Sequence, residues 1–255
     1  MIQGQGTSHG RSRRTHHCAG ATALVVGAGG GIGGAILSQL LANDRFAHVH
    51  AWSRSEIQQS HERLIHTRVD VSGEDQIAEA AARLDRVDFA IISTGLLHER
   101  SGRGPEKSLR DISADQFAAN FAVNTIAPAL VLKHLHQRIP RDTRAVFAAI
   151  SARVGSITDN RLGGWYSYRA SKAALNQIIK TASVELARTR PHCICVTLHP
   201  GTVDTGLSAP FKKNVASDKL FTPDFAAQKL LEITERLTVE DSGRLFAWDG
   251  AEIPF

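Results

Sequence analysis

The sequence predicts an α/β fold, a doubly wound parallel sheet of about seven strands with helices on both faces. Three observations carry that expectation. Short apolar runs alternate with longer helical patterns along the chain, the order that builds a parallel sheet covered on two sides. A glycine-rich turn follows the first apolar run and opens a helix. No second turn of that kind, internal repeat or Pro/Ser linker divides the 255 residues, so residues 21–255 read as one domain after an extension of twenty residues.

Each element has its own reason. Residues 21–26 are short, apolar and end in glycine, which marks a buried first strand. A helical pattern through Ala35, Ile36, Leu37, Leu40 and Leu41 follows. Residues 47–52 give the second strand, Arg68-Val69-Asp70 end the third, and residues 74–84 are helical. Residues 88–93 form the fourth strand. Ser113 with Gln116 makes a capping box opening a helix that carries Asn124, and Pro128 interrupts or kinks it just beyond. Residues 145–150 are the fifth strand, the helix bearing Tyr168 runs to about Arg188, and residues 194–198 are the sixth strand. Thr222-Pro223 suit the N-cap and first position of the last helix, and residues 245–248 close the sheet. Ligands of such sheets bind beyond the carboxyl ends of the strands, where Gly27, Ser93, Ser151 and Pro200 fall.

Composition narrows the class of protein. The net charge is +5 and the isoelectric point is near 9.4, but the basic residues are scattered, as on solvated faces, and form no nucleic-acid surface. No segment is long and apolar enough to span a membrane. Cys18, Cys193 and Cys195 have no metal-ligand or redox spacing, so no metal site is expected, and reduced thiols fit a cytoplasmic protein. Residues 1–20, rich in Gly, Ser, Arg and His, offer little to bury and read as a disordered extension; their arginines also permit a transit peptide.

Two motifs carry chemistry. In Gly27-Ala28-Gly29-Gly30-Gly31-Ile32-Gly33, glycines allow the tight strand-to-helix turn and the approach of a pyrophosphate to backbone N–H groups. A strand before it and a helix after it give the context of a Rossmann-type dinucleotide site. Far downstream, Tyr168 and Lys172 are four residues apart on a helix and share a face. A nearby ammonium favours phenolate, lowering the phenol pKa from about 10 toward neutrality, so that Tyr168 can exchange a proton with an alcohol or carbonyl.

The spacing Gly27-x-x-x-Gly31-x-Gly33 with Tyr168 and Lys172 resembles the short-chain dehydrogenase/reductase superfamily, from about Ala21 onward. Asp70-Val71, Asn124 and Pro200-Gly201-Thr202-Val203-Asp204-Thr205 match its pattern. Residues 151–168 and the ending Gly243-Arg244-Leu245-Phe246-Ala247-Trp248-Asp249-Gly250 are similar to the small carbonyl reductases related to the bacterial C-factor and the insect sniffer protein. The resemblance implies that Tyr168 protonates the developing alkoxide and that Lys172 lowers its pKa and bonds the nicotinamide ribose. It also implies that Asn124 holds a water linking the lysine to solvent, Thr205 contacts the carboxamide, and Asp70 and Val71 line the adenine. Gly29, Gly30, Ile32, Val203 and Pro200-Gly201 belong to the same expected cofactor cradle. For Asn124, an amide bonding backbone at a helix kink is the other reading. A homo-dimer or homo-tetramer is implied by the resemblance alone.

Two positions depart from the pattern. The superfamily's Asn-Asn-Ala-Gly after strand four is Ser93-Thr94-Gly95-Leu96 here, which keeps the glycine and loses the asparagine contacts to neighbouring backbone. Its Ile-Ser-Ser segment is Ile150-Ser151-Ala152, with alanine in the register of the catalytic serine. Ser151 is the candidate for polarising the carbonyl, provided the backbone bends there, because neighbouring strand residues face opposite sides; Ser156 is the second candidate.

After strand two, Trp52-Ser53-Arg54 offers a hydroxyl and a guanidinium where an NAD site places an acidic residue, which points to NADP(H). The expected activity is NADPH-dependent interconversion of a carbonyl compound and its alcohol. Leu207, Pro210, Phe211, Leu220 and Phe221 form an apolar covering loop and suggest a partly apolar substrate. The alternative is a nucleotide-binding regulator of the C-factor type with little turnover.

Overall fold

A computed structural model describes residues 20–98, 104–209 and 219–255. The chain alternates as the sequence predicts: β1 (Ala21–Val26), α1 (Gly31–Leu41), β2 (Phe46–Ser53), β3 (Leu64–Arg68), α2 (Glu74–Ala82) and β4 (Phe89–Ile92). Then come α3 (Ala114–Phe121), a π turn (Ala122–Ile126), α4 (Ala127–Leu135), β5 (Ala145–Ile150) and α5 (Tyr166–Thr189). β6 (Cys193–His199), β7 (Thr202–Val203), β8 (Leu220–Phe221), α6 (Pro223–Arg236), β9 (Leu245–Ala247) and β10 (Glu252–Ile253) complete it. The main sheet has the order β10-β9-β6-β5-β4-β1-β2-β3. Seven of its strands are parallel, and β10 alone runs antiparallel to β9.

Alternate residues of each central strand enter opposite layers, as the period of two requires. Ala23, Val25, Ile91, Val146, Ala148 and Val196 pack under α1 and α6, against Ile36, Leu40, Leu230 and Ile233. Leu24, Val26, Ala90, Ile92, Phe147 and Cys195 face the other layer, with Ile77 of α2, Val131 and Leu135 of α4, and Leu175 and Ile179 of α5. Cys193 and Cys195 are free and buried in that second layer, and burial pushes the Cys193 thiol up to about 12. Among the described residues no helix is long and apolar enough to cross a membrane.

Several boundaries differ from expectation for local reasons. β3 stops two residues before Asp70, whose Oδ1 accepts from Ser72 N at 3.0 Å and so turns the chain. α2 ends at Ala82 because Arg83 and Leu84 donate to the carbonyls of Ala80 and Ala81, a tightened last turn. Ser113 does cap α3 by position, but its side chain makes no capping bond. The expected capping box is therefore absent: Gln116 is buried, with neither amide atom hydrogen-bonded, instead of turning back. Capping boxes form at Ser108 with Asp111 and at Thr238 with Asp241. Pro128 does not stop its helix. Its missing N–H falls just after the π turn, and α4 continues from there. Thr222 accepts from Phe225 N at 3.2 Å with Pro223 behind it, the predicted start of α6.

Candidate active site

The glycine loop sits at the carboxyl end of β1, and three of its glycines are required sterically. Gly27 has φ +89°, a left-handed value, and a Cβ there would lie 2.8 Å from Ser93 Oγ. A Cβ on Gly33 would lie 2.2 Å from the Gly27 carbonyl, and one on Gly31 would lie 2.7 Å from Thr205 Cγ2. Gly30 is the N-cap of α1, which has no side-chain cap and no acidic residue in its first turn. The first N–H groups of α1 and its dipole are thus left to an anion. Thr94 Oγ1 is buried without a hydrogen-bond partner a few ångströms away, since a Cβ on Gly27 would also lie 3.0 Å from Thr94 N. A bare helix start and an orphaned hydroxyl beside it fit a dinucleotide phosphate and its ribose.

Ser93 corrects one expectation. Its hydroxyl donates to the Val26 carbonyl at 2.7 Å, so the tie to neighbouring backbone is kept by a shorter side chain. Gly95 lies between Asn124 and Leu207: a Cβ there would be 3.8 Å from Asn124 Oδ1 and 3.4 Å from Leu207 Cδ1. Asp70 and Val71 follow β3 at the same edge of the sheet. Pro200 and Gly201 leave β6 there too, where a Gly201 Cβ would meet the Phe221 ring at 2.6 Å. Val203 is buried, and Thr205 N donates to Ser208 Oγ at 3.1 Å. Ser53 is buried and Arg54 exposed after β2, beside Gly29.

α5 carries Tyr168 and Lys172 into this edge. Both are buried, and Lys172 Nζ stands 5.9 Å from the centroid of the Tyr168 ring. Lys172 Nζ donates to the Ile150 carbonyl at 2.8 Å, which ties the helix to the end of β5. Burial lowers the Lys172 pKa to about 7 and raises that of Tyr168 above its ordinary value. The direction for Tyr168 is opposite to the expectation from sequence. Desolvation of the phenolate outweighs a cation that is itself partly discharged by burial.

Asn124 lies in the π turn and locks α3 to α5. Its Oδ1 accepts from Leu96 N at 2.8 Å, while Nδ2 donates to Leu96 O at 2.7 Å and to Ser171 Oγ at 3.0 Å. One turn earlier, Asn120 Nδ2 donates to Ser167 Oγ at 2.7 Å. The side-chain amide of Asn124 is therefore occupied with backbone, the second of its two readings.

Ser151 does not meet the condition set for it. Its N–H donates to Leu198 O at 2.8 Å, Ala152 after it has extended backbone at φ −148° and ψ 147°, and the chain does not bend. The Ser151 hydroxyl donates its single proton to Asn176 Oδ1 at 2.7 Å, deeper under α5. Ser156, the second candidate, is buried and accepts from Asp159 N at 3.0 Å, and it is not part of the apolar cluster around Tyr168. The residue beside Tyr168 is Ala152, in an apolar cluster with Leu97, Val154, Trp165 and Leu207.

Sequence reasoning missed Leu97 and Glu106, and it placed Trp165 near the substrate without foreseeing its backbone. Trp165 precedes α5 in left-handed backbone, φ 54° and ψ 46°, directly after Gly163 and Gly164 at φ +63° and +66°. Its N–H donates to the Glu106 carbonyl at 2.5 Å, and the buried Glu106 carboxylate accepts from Ser167 N in the first turn of α5. The indole meets the Tyr168 ring edge-on, with centroids 6.2 Å apart. The glycine pair was the available signal, since two glycines before a helix invite positive φ. Pro210 and Phe211 of the expected covering loop lie outside the described residues, as does Cys18. Leu220 and Phe221 pair with Thr202 and Val203, and Phe221 packs on Trp248 with centroids 4.5 Å apart. Among the described residues no three His, Cys, Asp or Glu converge as a metal site would require.

A doubly wound sheet, a glycine cradle at its carboxyl edge and a buried Tyr–Lys pair beside an apolar cluster define a class, the nucleotide-dependent oxidoreductases. The profile of the short chain dehydrogenase family matches residues 21–216, and the chain belongs to that family. It is 32% identical over 149 residues to the C-signal of Myxococcus xanthus, covering 58% of this chain and 84% of that one. It is 26% identical to the benzil reductase ((S)-benzoin forming) of Bacillus subtilis, covering 88% and 96%. Among solved structures, NADPH-bound carbonyl reductase from chicken fatty liver superposes with a TM-score of 0.80 at 25% identity, covering 92% and 94%. The carbonyl reductase Sniffer of D. melanogaster shares the fold, with a TM-score of 0.80 at 20% identity, covering 92% of this chain and all of the other.

Proposed function

We propose that the protein is an NADPH-dependent carbonyl reductase with Tyr168 as its proton donor. The observation that carries this is the buried Tyr168–Lys172 pair packed against an apolar cluster on the glycine-loop side of the sheet. Gly27–Gly33, Thr94, Thr205, Asp70 and Val71 would hold the dinucleotide, which supplies hydride to a carbonyl carbon when bound. Burial keeps Tyr168 a phenol, the form a reduction needs. Its proton passes to the carbonyl oxygen, and the phenolate left behind is stabilised by the Lys172 ammonium. Leu97, Ala152, Val154, Trp165 and Leu207 exclude water and fit a partly apolar substrate. The Asn124 backbone carbonyl is the group we assign to hold the relay water, because its side-chain amide is taken up by Leu96 and Ser171.

With Ala152 beside Tyr168, the carbonyl is polarised by Tyr168 itself and not by a serine hydroxyl. That same alanine favours a second reading, a nucleotide-binding regulator with little turnover, to which the likeness to C-signal also leads. NADPH oxidation measured with aldehydes, ketones and quinones separates the two. Turnover on any of them supports the reductase; tight nucleotide binding with no turnover across the panel supports the regulator.

A further inference from the structure

We propose that His66, on β3, is a positioning residue for the 2′-phosphate end of NADPH: through Ser53 it holds the turn after β2 with its carbonyls occupied, leaving Arg54 and Ser55 as donors to the nucleotide. This rests on the NADPH reading above. The turn packs on the glycine loop, for a Cβ on Gly29 would lie 3.5 Å from Ser53 Cβ and 3.8 Å from Ser55 Oγ.

All three carbonyls of the turn are engaged from inside. Val69 N donates to Ser53 O at 2.9 Å, Arg68 Nε donates to Arg54 O at 2.9 Å, and the Ser53 hydroxyl donates to Ser55 O at 2.5 Å. A serine hydroxyl has one proton. With it spent on Ser55, the 2.9 Å contact between Ser53 Oγ and His66 Nε2 is a bond donated by the imidazole. The other imidazole nitrogen lies 3.4 Å from Glu56 Oε2, a contact that is a bond only in a ring protonated on both nitrogens.

The consequence is an asymmetric turn. Its three carbonyls are occupied, while the Arg54 guanidinium and the Ser55 hydroxyl stand exposed beside the Glu56 carboxylate. Exposed donors with no free carbonyl among them suit a phosphate monoester, which offers acceptors alone. Ser53 itself does not serve the phosphate as a donor, contrary to the expectation from its place after strand two. His66, largely buried behind it, acts only through the hydroxyl it fixes.

Equilibrium titration of the full chain with NADPH and with NADH tests this, on the parent, His66→Phe and His66→Gln. The Gln side chain places an N–H as many bonds from Cβ as His Nε2 does. His66→Phe is expected to weaken NADPH binding about tenfold, the worth of one charge-assisted contact, with NADH affinity unchanged. His66→Gln is expected to keep the parent's preference. Equal loss for both cofactors in His66→Phe, or no loss for either, overturns the proposal. If His66→Phe does not fold, Ser53→Ala carries the same expectation and the same refutation. Equal parent affinities for NADPH and NADH would instead overturn the NADPH reading, whatever the variants do.

Discussion

Tyr168 holds its proton because burial penalises the phenolate, and Lys172 loses part of its charge for the same reason. In the proposed mechanism the two effects favour reduction and give it a pH dependence. Tyr168 remains a phenol across the working range, so the acid is always ready. Lys172 is an ammonium below about pH 7 and neutral above it, so stabilisation of the departing phenolate fades as pH rises through that value. The rate of reduction at saturating substrate and NADPH should therefore fall above about pH 7, and the break should vanish in Lys172→Met. A flat profile from acid to alkaline pH in the parent would contradict it. Tyr168→Phe should lower turnover by roughly 10²- to 10⁴-fold with nucleotide binding nearly intact. Tyr166→Phe should not, since four residues beyond Tyr166 stands Ala170, which offers no charge. A Tyr168→Phe protein that turns over at the parent's rate would refute the assignment.

At the scale of elements, the start of α5 is where local preference yields to the site. Trp165 occupies left-handed backbone that costs an L-residue about 1–2 kcal/mol, and the bond to Glu106 and the packing on Tyr168 hold it there. Alanine ordinarily exceeds glycine in and around helices, but here the order should invert. Trp165→Gly and Trp165→Ala both lose the indole, yet only alanine keeps the strain. Trp165→Gly should be the more stable of the two by about 1 kcal/mol, read as a higher Tm. The opposite order would show that the turn relaxes once the indole is gone. This turn was only partly legible in the sequence: Gly163 and Gly164 invite positive φ, but a tryptophan gives no sign of it and Glu106 is distant in the chain. The glycine loop, the alternation of elements and the Tyr168–Lys172 face were legible, each resting on local spacing. Ser151 was legible as a residue but not as an orientation; an unbent strand end and the amide of Asn176 decide that. The edge hairpin of β9 and β10 was passed over although Asp249-Gly250 is a turn signal. Gly250 takes φ +87° there, and Ala251 N donates to Asp249 Oδ1 at 3.1 Å.

For the whole molecule, the sheet that forms the site also holds two half-buried histidines in neutral form, and this sets its tolerance of acid. His50 on β2 and His199 at the end of β6 are each lowered from 6.5 to about 4, both chiefly by burial. The unfolded chain takes up protons at these positions near pH 6.5, whereas the folded chain does not until about pH 4. Between those values the unfolded state binds more protons, so stability rises with pH and is lost as pH falls. It is fully present above 6.5. For His199, whose Nδ1 is buried without a partner, the loss amounts to on the order of 2–3 kcal/mol over the full window. Glu74 and Glu232 have lowered pKa values through their lysine partners. Their contribution fades only below the ordinary carboxylate range, which leaves the upper part of the window to the histidines. Thermal melts at pH 6.5 and 5 should show a lower Tm at the acid end, and His50→Gln with His199→Gln should shrink that difference. A parent Tm that holds steady between the two, or a double variant that falls as steeply as the parent, would mean that these imidazoles are not what acid attacks.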